Sequence, residues 1–176
     1  FYRVQLDLME VKPTGTNGGK YFMTIVCAAT RYMYLIATAN RDHIASATMT
    51  FHVFLDMGVL PAILQSDNEF VSLAFEELFG LRGSCQIFSS ALRPQIQGIV
   101  ERSHRTIREY MSLLVETFVR GNPRRWVEVV PLTQARMRQK RLANGSTPYQ
   151  AIHGFFGSTT LSTALGAITE IPETMI

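Results

Sequence analysis

The sequence predicts an α/β fold, a five-stranded mixed sheet flanked by helices, with its elements in the order βββαβαβαα. Three observations carry that prediction. Early in the chain, three apolar, strand-forming runs follow one another across turns too short for a crossover helix. At Asp42 the hydrophobic period becomes helical. Two more short strand-like runs then alternate with helical stretches.

Residues 4–10 alternate in polarity, a Gly/Asn/Thr turn at 14–19 leads into a second run at 21–29, and a third follows at 33–38. Runs joined this closely form an antiparallel meander. Asp42 can cap a helix whose apolar face uses Ile44, Ala47, Phe51 and Leu55 and which ends at Gly58. A fourth strand is expected at 62–65, a short helix at 73–79 and a fifth strand at 85–88. From Gly98 a long helix buries Val100, Ile107, Met111 and Leu114 and runs to about residue 119, where Gly121-Asn-Pro breaks it. A last helix starts at Pro123 or Trp126 and runs to about 142, where Asn144-Gly-Ser-Thr-Pro ends it. Residues 1–154 thus form the core, and 155–176 read as a linker or tail towards a further module.

A chain of 176 residues with 47% hydrophobic content is the size of one domain and can bury a core without staples. No apolar run reaches the roughly 20 residues needed to span a bilayer. The opening Phe1-Tyr-Arg-Val is neither a signal peptide nor an initiator methionine, so the chain reads as a piece of a longer protein. Cys27 and Cys85 lie in apolar or small-residue surroundings without a Cys/His cluster for zinc; both are expected to be buried thiols in a reducing compartment. The net charge of +3 is uneven: residues 1–100 hold 7 Lys+Arg against 8 Asp+Glu, and 101–176 hold 10 against 6. A basic C-terminal half suggests a polyanionic partner such as nucleic acid, the plainer alternative being a solvated helix face.

Three separated carboxylates, Asp7, Asp67 and Glu101, are the candidate chemistry. Asp7 falls mid-strand among apolar neighbours, where a lone carboxylate is costly to bury. Asp67 closes a strand. Glu101 is expected on the first turn of the long helix, after a glycine-containing loop with Gln95 and Gln97, and Arg105 and Arg108 follow on its face. Hard divalent cations take oxygen ligands, and guanidinium groups take phosphate oxygens. Three converging carboxylates repel and partly protonate unless cations neutralise them. Singly, each acid also fits a duller role: a satisfied strand-edge residue, an Asx turn, a first-turn acid favoured by the helix dipole. His43, His52, His104 and His153 are scattered, and His104 reads as a helix-surface residue. The run Arg136, Arg138, Lys140 and Arg141 reads as a solvated helix end, the alternatives being contact with phosphate or resemblance to a nuclear localisation signal.

Several stretches also carry a family pattern: Val4-Gln-Leu-Asp-Leu-Met-Glu, Tyr21-Phe-Met-Thr-Ile-Val with Thr30-Arg-Tyr behind it, Gly58-Val-Leu-Pro with Ser66-Asp-Asn-Glu-Phe, Arg93-Pro-Gln-Ile-Gln-Gly-Ile-Val-Glu-Arg, and Trp126-Val-Glu-Val-Val-Pro. Through residues 2–154 the sequence resembles the catalytic core of retroviral and LTR-retrotransposon integrases, DDE-type recombinases of RNase H-like fold. The resemblance implies that the fourth strand returns beside the first. It implies Asp7, Asp67 and Glu101 as catalytic ligands of two Mg²⁺ or Mn²⁺ ions, with Asp7 shared between them. It places Gln95, Gln97, Arg105 and Arg108 against DNA, and gives Trp126 a packing role. The implied reactions are trimming of retroelement DNA 3′ ends and their joining to target DNA, one phosphoryl transfer with two nucleophiles. The implied partners are those DNAs and further copies of the chain, as a homodimer or higher oligomer, with neither membrane nor small-molecule substrate; the implied location is the nucleus or a retroelement particle.

The sequence departs from the pattern after the second acid, where Asp67-Asn68-Glu69-Phe70 is two residues shorter than the family's Asp-Asn-Gly-x-Glu-Phe and lacks its glycine. Cys27-Ala-Ala-Thr-Arg and the segment 136–144 also depart from it. Two functions therefore stand beside each other: an active metal-dependent transferase, and a catalytically weak or dead integrase-derived module that binds nucleic acid or protein. A ribonuclease H acting on RNA–DNA hybrids fits less well, because the run around Glu101 belongs to integrases.

Overall fold

The computed structural model describes residues 1–67, 70, 73–80, 83–88 and 94–154, and for 73, 94–98 and 101 the backbone alone. The expected tail at 155–176 lies outside the described residues.

The strands are β1 (Arg3–Glu10), β2 (Tyr21–Cys27), β3 (Met33–Thr38), β4 (Ile63–Ser66) and β5 (Cys85–Phe88). The helices are α1 (His43–Asp56), α2 (Leu73–Phe79), α3 (Pro94–Phe118), α4 (Trp126–Gln139) and α5 (Pro148–His153), with a 3-10 turn at Pro123–Arg125 before α4. The sheet order is β3-β2-β1-β4-β5. β1, β2 and β3 form the antiparallel meander, and β4 returns parallel to β1 with β5 parallel beyond it. This is the mixed five-stranded fold that the sequence predicts.

Alternation along the strands divides the core into two layers. Val4, Leu6, Met23 and Ile25 face one way and pack with Phe51 and Phe54 of α1 and Phe75 and Phe79 of α2. Each such aromatic side chain contributes about 1.5–3 kcal/mol by leaving water. The alternate residues Met9, Phe22, Val26, Met33 and Leu35 face the other way, against Ile107 and Met111 of α3 and Trp126, Val130 and Met137 of α4. Trp126 is buried and donates its indole N–H to the Pro13 carbonyl at 3.1 Å. The β1–β2 turn lies so close that a Cβ on Gly19 would stand 2.8 Å from Val127 and 3.3 Å from the Trp126 ring.

The β3 edge is clasped by α4. Gln134 Oε1 accepts from the Leu35 amide at 2.7 Å, and Arg138 Nε donates to the Met33 carbonyl at 2.9 Å. The Arg138 guanidinium also lies 4.3 Å from the ring centroids of both Tyr32 and Tyr34. Exposed backbone groups on an edge strand invite further strands, and here two of them are occupied.

Five expectations need correction. Arg138, expected in a solvated helix end, is instead drawn onto the β3 edge by the Met33 carbonyl and the Tyr32 and Tyr34 rings. α1 is capped by Asp42 as expected, but Ile44 and Leu55 are exposed at 67% and 50% while Ser46, Ala47, Thr50, Phe51 and Phe54 are buried. Thr50 can be buried because its hydroxyl donates to the Ser46 carbonyl at 2.7 Å. α3 starts at Pro94 rather than Gly98: proline is favoured at the first helical position, and the two glutamines are good helix formers, so the helix carries the glycine inside it. Gln95 and Gln97 are therefore helical in backbone rather than part of a loop, and Glu101 stands eighth in the helix rather than on its first turn. Cys27 is buried but Cys85 is exposed, because β5 is an edge strand whose side chains are mostly open to solvent. Finally, α4 stops at Gln139, and the segment expected to end the last helix opens α5 instead. Thr147 and Gln150 form a reciprocal capping box, Pro148 begins the helix and Gly154 closes it at φ 73°. Among the described residues no helix is long and apolar enough to cross a membrane.

Candidate active site

The site begins with strand register. β1 and β4 are parallel and pair Gln5 with Gln65. Two residues further along each chain stand Asp7, in β1, and Asp67, immediately after β4. The two acids thus stand two residues beyond the last paired residues of neighbouring strands, Asp7 still within β1 and Asp67 just past the end of β4. Asp7 shares its face of β1 with Gln5 and Met9, the face that meets α3. Its side chain is 33% exposed, and its Oδ1 accepts the Leu8 amide at 2.8 Å. Asp67 is half-buried.

Below this pair lies a buried polar layer. Gln65 Oε1 accepts from Arg3 Nε at 2.8 Å, from Arg3 Nη2, and from Gln5 Nε2 at 3.3 Å. Gln5 and Gln65 are each 3% exposed. Buried polar groups of this kind are costly unless paired, so the layer fixes the strand register that brings the acids side by side.

α3 crosses this edge and adds His104. Its Nδ1 lies 3.5 Å from Asp7 Oδ2, its Nε2 lies 3.2 Å from the fully buried Thr24 hydroxyl, and its ring meets Phe22 edge-on at 5.8 Å. Burial, and secondarily the Arg108 charge, push the imidazole down to about 4. A carboxylate 3.5 Å away by itself favours the charged ring, but desolvation outweighs it, and the histidine is neutral at pH 7. A neutral ring can donate from Nδ1 to Asp7 while accepting from Thr24 at Nε2. His104 is thus no surface residue; the available signal was its position one helical turn after Glu101.

Glu101 is placed by its backbone on α3, three residues before the residue that touches Asp7. Its side chain, like those of Gln95 and Gln97, lies outside the described residues. Among the described residues no three His, Cys, Asp or Glu side chains form a metal-binding group. Arg105 and Arg108 are exposed on α3. Arg105 pairs with Glu109 at 3.1 Å on the helix surface, and Arg108 is close enough to bias His104 electrostatically. Asp7 and Asp67 offer carboxylate oxygens on a half-exposed sheet end, a donor set suited to hard divalent cations rather than to soft metals.

No family model matches the chain. It is 33% identical over 153 residues to the Pol polyprotein of Radiation murine leukemia virus (strain Kaplan), covering 85% of this chain and 26% of that protein. It is 30% identical over 153 residues to the Gag-Pol polyprotein of Koala retrovirus, again over 85% of this chain but 9% of the relative, and 31% identical over 169 residues to that of Baboon endogenous virus (strain M7). The chain therefore spans about a quarter or less of the length of these curated relatives. Among solved structures it resembles the catalytic core domain of BIV integrase, with a TM-score of 0.66 and 21% identity over 85% of this chain and 92% of that one.

Proposed function

We propose that this chain, related to a segment of retroviral Pol polyproteins and built on the RNase H-like fold of an integrase catalytic core, is a DNA strand transferase and endonuclease that trims retroelement 3′ ends and joins them to target DNA. The observation that carries the reading is the placement of Asp7 in β1 and of Asp67 just past the end of the neighbouring parallel strand β4, with His104 of α3 against Asp7. Asp7, Asp67 and Glu101 would hold Mg²⁺ or Mn²⁺. When bound, such ions neutralise the carboxylates, activate an attacking oxygen and stabilise a departing one.

The chain's own residues have separate tasks. Neutral His104 restrains Asp7 without competing with a cation for charge, because the uncharged ring leaves the carboxylate's full negative charge available. Arg108 and Arg105 present guanidinium groups to DNA phosphates along the exposed side of α3. Gln97 and Gln95, about one and nearly two turns before Glu101, are assigned to DNA contacts near the cleaved bond. The chain would act on DNA as a homodimer or higher oligomer, in the nucleus or in a retroelement particle.

A second reading, a catalytically weak or dead module that still binds DNA or protein, is favoured by one observation. The segment after Asp67 is two residues shorter than the family pattern, and Mg²⁺ is strict about octahedral geometry. The test is metal-dependent nicking and joining of short duplexes and branched DNA mimicking a joined product. Asp67→Asn and Glu101→Gln are each expected to lower activity by more than about 100-fold. A folded wild-type chain that binds DNA but shows no metal-dependent cleavage overturns the transferase in favour of the binding module.

A further inference from the structure

We propose that the cavity between α3 and the C-terminal end of α4 is a phosphate subsite that grips the sugar-phosphate backbone of bound DNA. The proposal rests on the DNA-binding part of the reading above and not on its chemistry. The cavity holds about 270 Å³, and its lining includes Arg31, Arg102 and Lys140 with the hydroxyls of Ser103 and Thr106 over a floor that includes Met137. No carboxylate lines it among the described residues. Three cations facing one cavity repel one another, and an anion between them removes that repulsion.

Arg31 supplies a second, independent sign. It stands in the β2–β3 turn at φ 63°, a left-handed conformation that side-chain-bearing residues seldom adopt, with its amide donating to the Cys27 carbonyl at 3.0 Å. Its Nη1 is buried and has no hydrogen-bond partner among the described residues. A buried guanidinium N–H without an acceptor is unfavourable, and a small turn of the side chain towards a phosphate oxygen in the cavity it lines would give it the acceptor that guanidinium geometry suits.

The hydroxyls play a lesser part. Ser103 and Thr106 donate to the carbonyls of Ile99 and Arg102 at 2.8 and 3.4 Å, so the cations carry the recognition. The helical spacing shows what the site can share with the acids. Arg102, Ser103 and Thr106 form one stripe of α3, and Arg102 directly follows Glu101. The volume exceeds what a lone phosphate needs, and the apolar floor suits the attached sugar.

The test uses the full chain without metal, so that it reads binding whatever the fate of the chemistry. Arg31→Gly removes the guanidinium while relieving the φ 63° backbone, and the fold should tolerate it. Lys140→Gln changes an exposed position and serves if the first variant does not fold. Affinity for a labelled DNA duplex is measured over a salt series, and the melting temperature is measured with and without inorganic pyrophosphate. The expected result is a salt slope shallower by about one in either variant, and loss of the stabilisation by pyrophosphate. Unchanged slopes overturn the proposal. So does pyrophosphate stabilisation that disappears in the variants while the DNA slope stays the same, since that identifies a free-anion site instead.

Discussion

His104 is held neutral by its surroundings, and its neutrality has a structural cost if the ring is removed. Its Nε2 is the partner found for the Thr24 hydroxyl, which is fully buried in the sheet, and its ring packs against Phe22. His104→Ala should therefore destabilise the protein by about 1–3 kcal/mol, through an orphaned hydroxyl and lost packing. Urea unfolding of the metal-free variant checks this, and a midpoint equal to that of the wild type would refute it. At this scale the sequence was legible where a residue contradicts its neighbours. A carboxylate in an apolar strand marks Asp7, and one that closes a strand marks Asp67. His104 contradicts nothing around it: polar residues at 102–106 fit a solvated helix as well as a half-buried one, and only the packing shows which stripe meets the sheet. The exposure of Cys85 was hidden for a related reason, because β5 reads as an apolar strand whether it lies inside the sheet or at its margin.

The pairing of β1 with β4 depends on a buried polar contact more than on any side-chain shape. Gln65 Oε1 collects donors from Arg3 and Gln5, so deleting it removes the acceptor they share. Gln65→Ala should cost about 1–3 kcal/mol. A double replacement, Gln5→Leu with Gln65→Leu, should cost less than the sum of its single changes, since it removes donor and acceptor together. A double-mutant cycle by chemical denaturation measures the difference, and strict additivity would show the contact to be energetically idle. Most elements were legible from period and punctuation; β3, α2 and β5 match their expected bounds. The misses have specific causes. Pro94 was a start signal outweighed by a glycine that the helix simply absorbs, and Thr147-Pro-Tyr-Gln was a capping box masked by its resemblance to a stop. In α1 the apolar stripe pointed to Ile44 and Leu55, but the Thr50 hydroxyl, satisfied by the Ser46 carbonyl, lets Thr50 take the inner face beside Phe54, and Ser46 is buried with it.

For the molecule as a whole, the clasp between α4 and β3 ties global stability to alkaline pH. Burial raises the phenols of both Tyr32 and Tyr34 above their ordinary value of 10.0, against a smaller lowering by Arg138. Above pH 10 the unfolded chain loses these protons while the folded chain keeps them. The stabilisation is therefore whole below about pH 10 and declines as pH rises through the folded-state values. Melting temperatures from pH 8 to 11 should fall more steeply for the wild type than for a Tyr32→Phe/Tyr34→Phe double variant, and parallel curves would remove the tyrosines from the explanation. The order of elements was legible along the chain, whereas the order of strands across the sheet entered through the family resemblance, because hydrophobic period reports which face a residue takes and not which strand lies beside it. The clasp also sets the valence of the sheet. With Leu35 N–H and Met33 C=O already engaged, β3 cannot accept another strand along that stretch, and β5, whose only sheet neighbour among the described strands is β4, is the remaining margin. A sheet with one available margin can join at most one like partner and then closes, whereas a sheet open on both sides can propagate without limit. Two side chains from one helix thus close one stretch of the β3 margin to such growth.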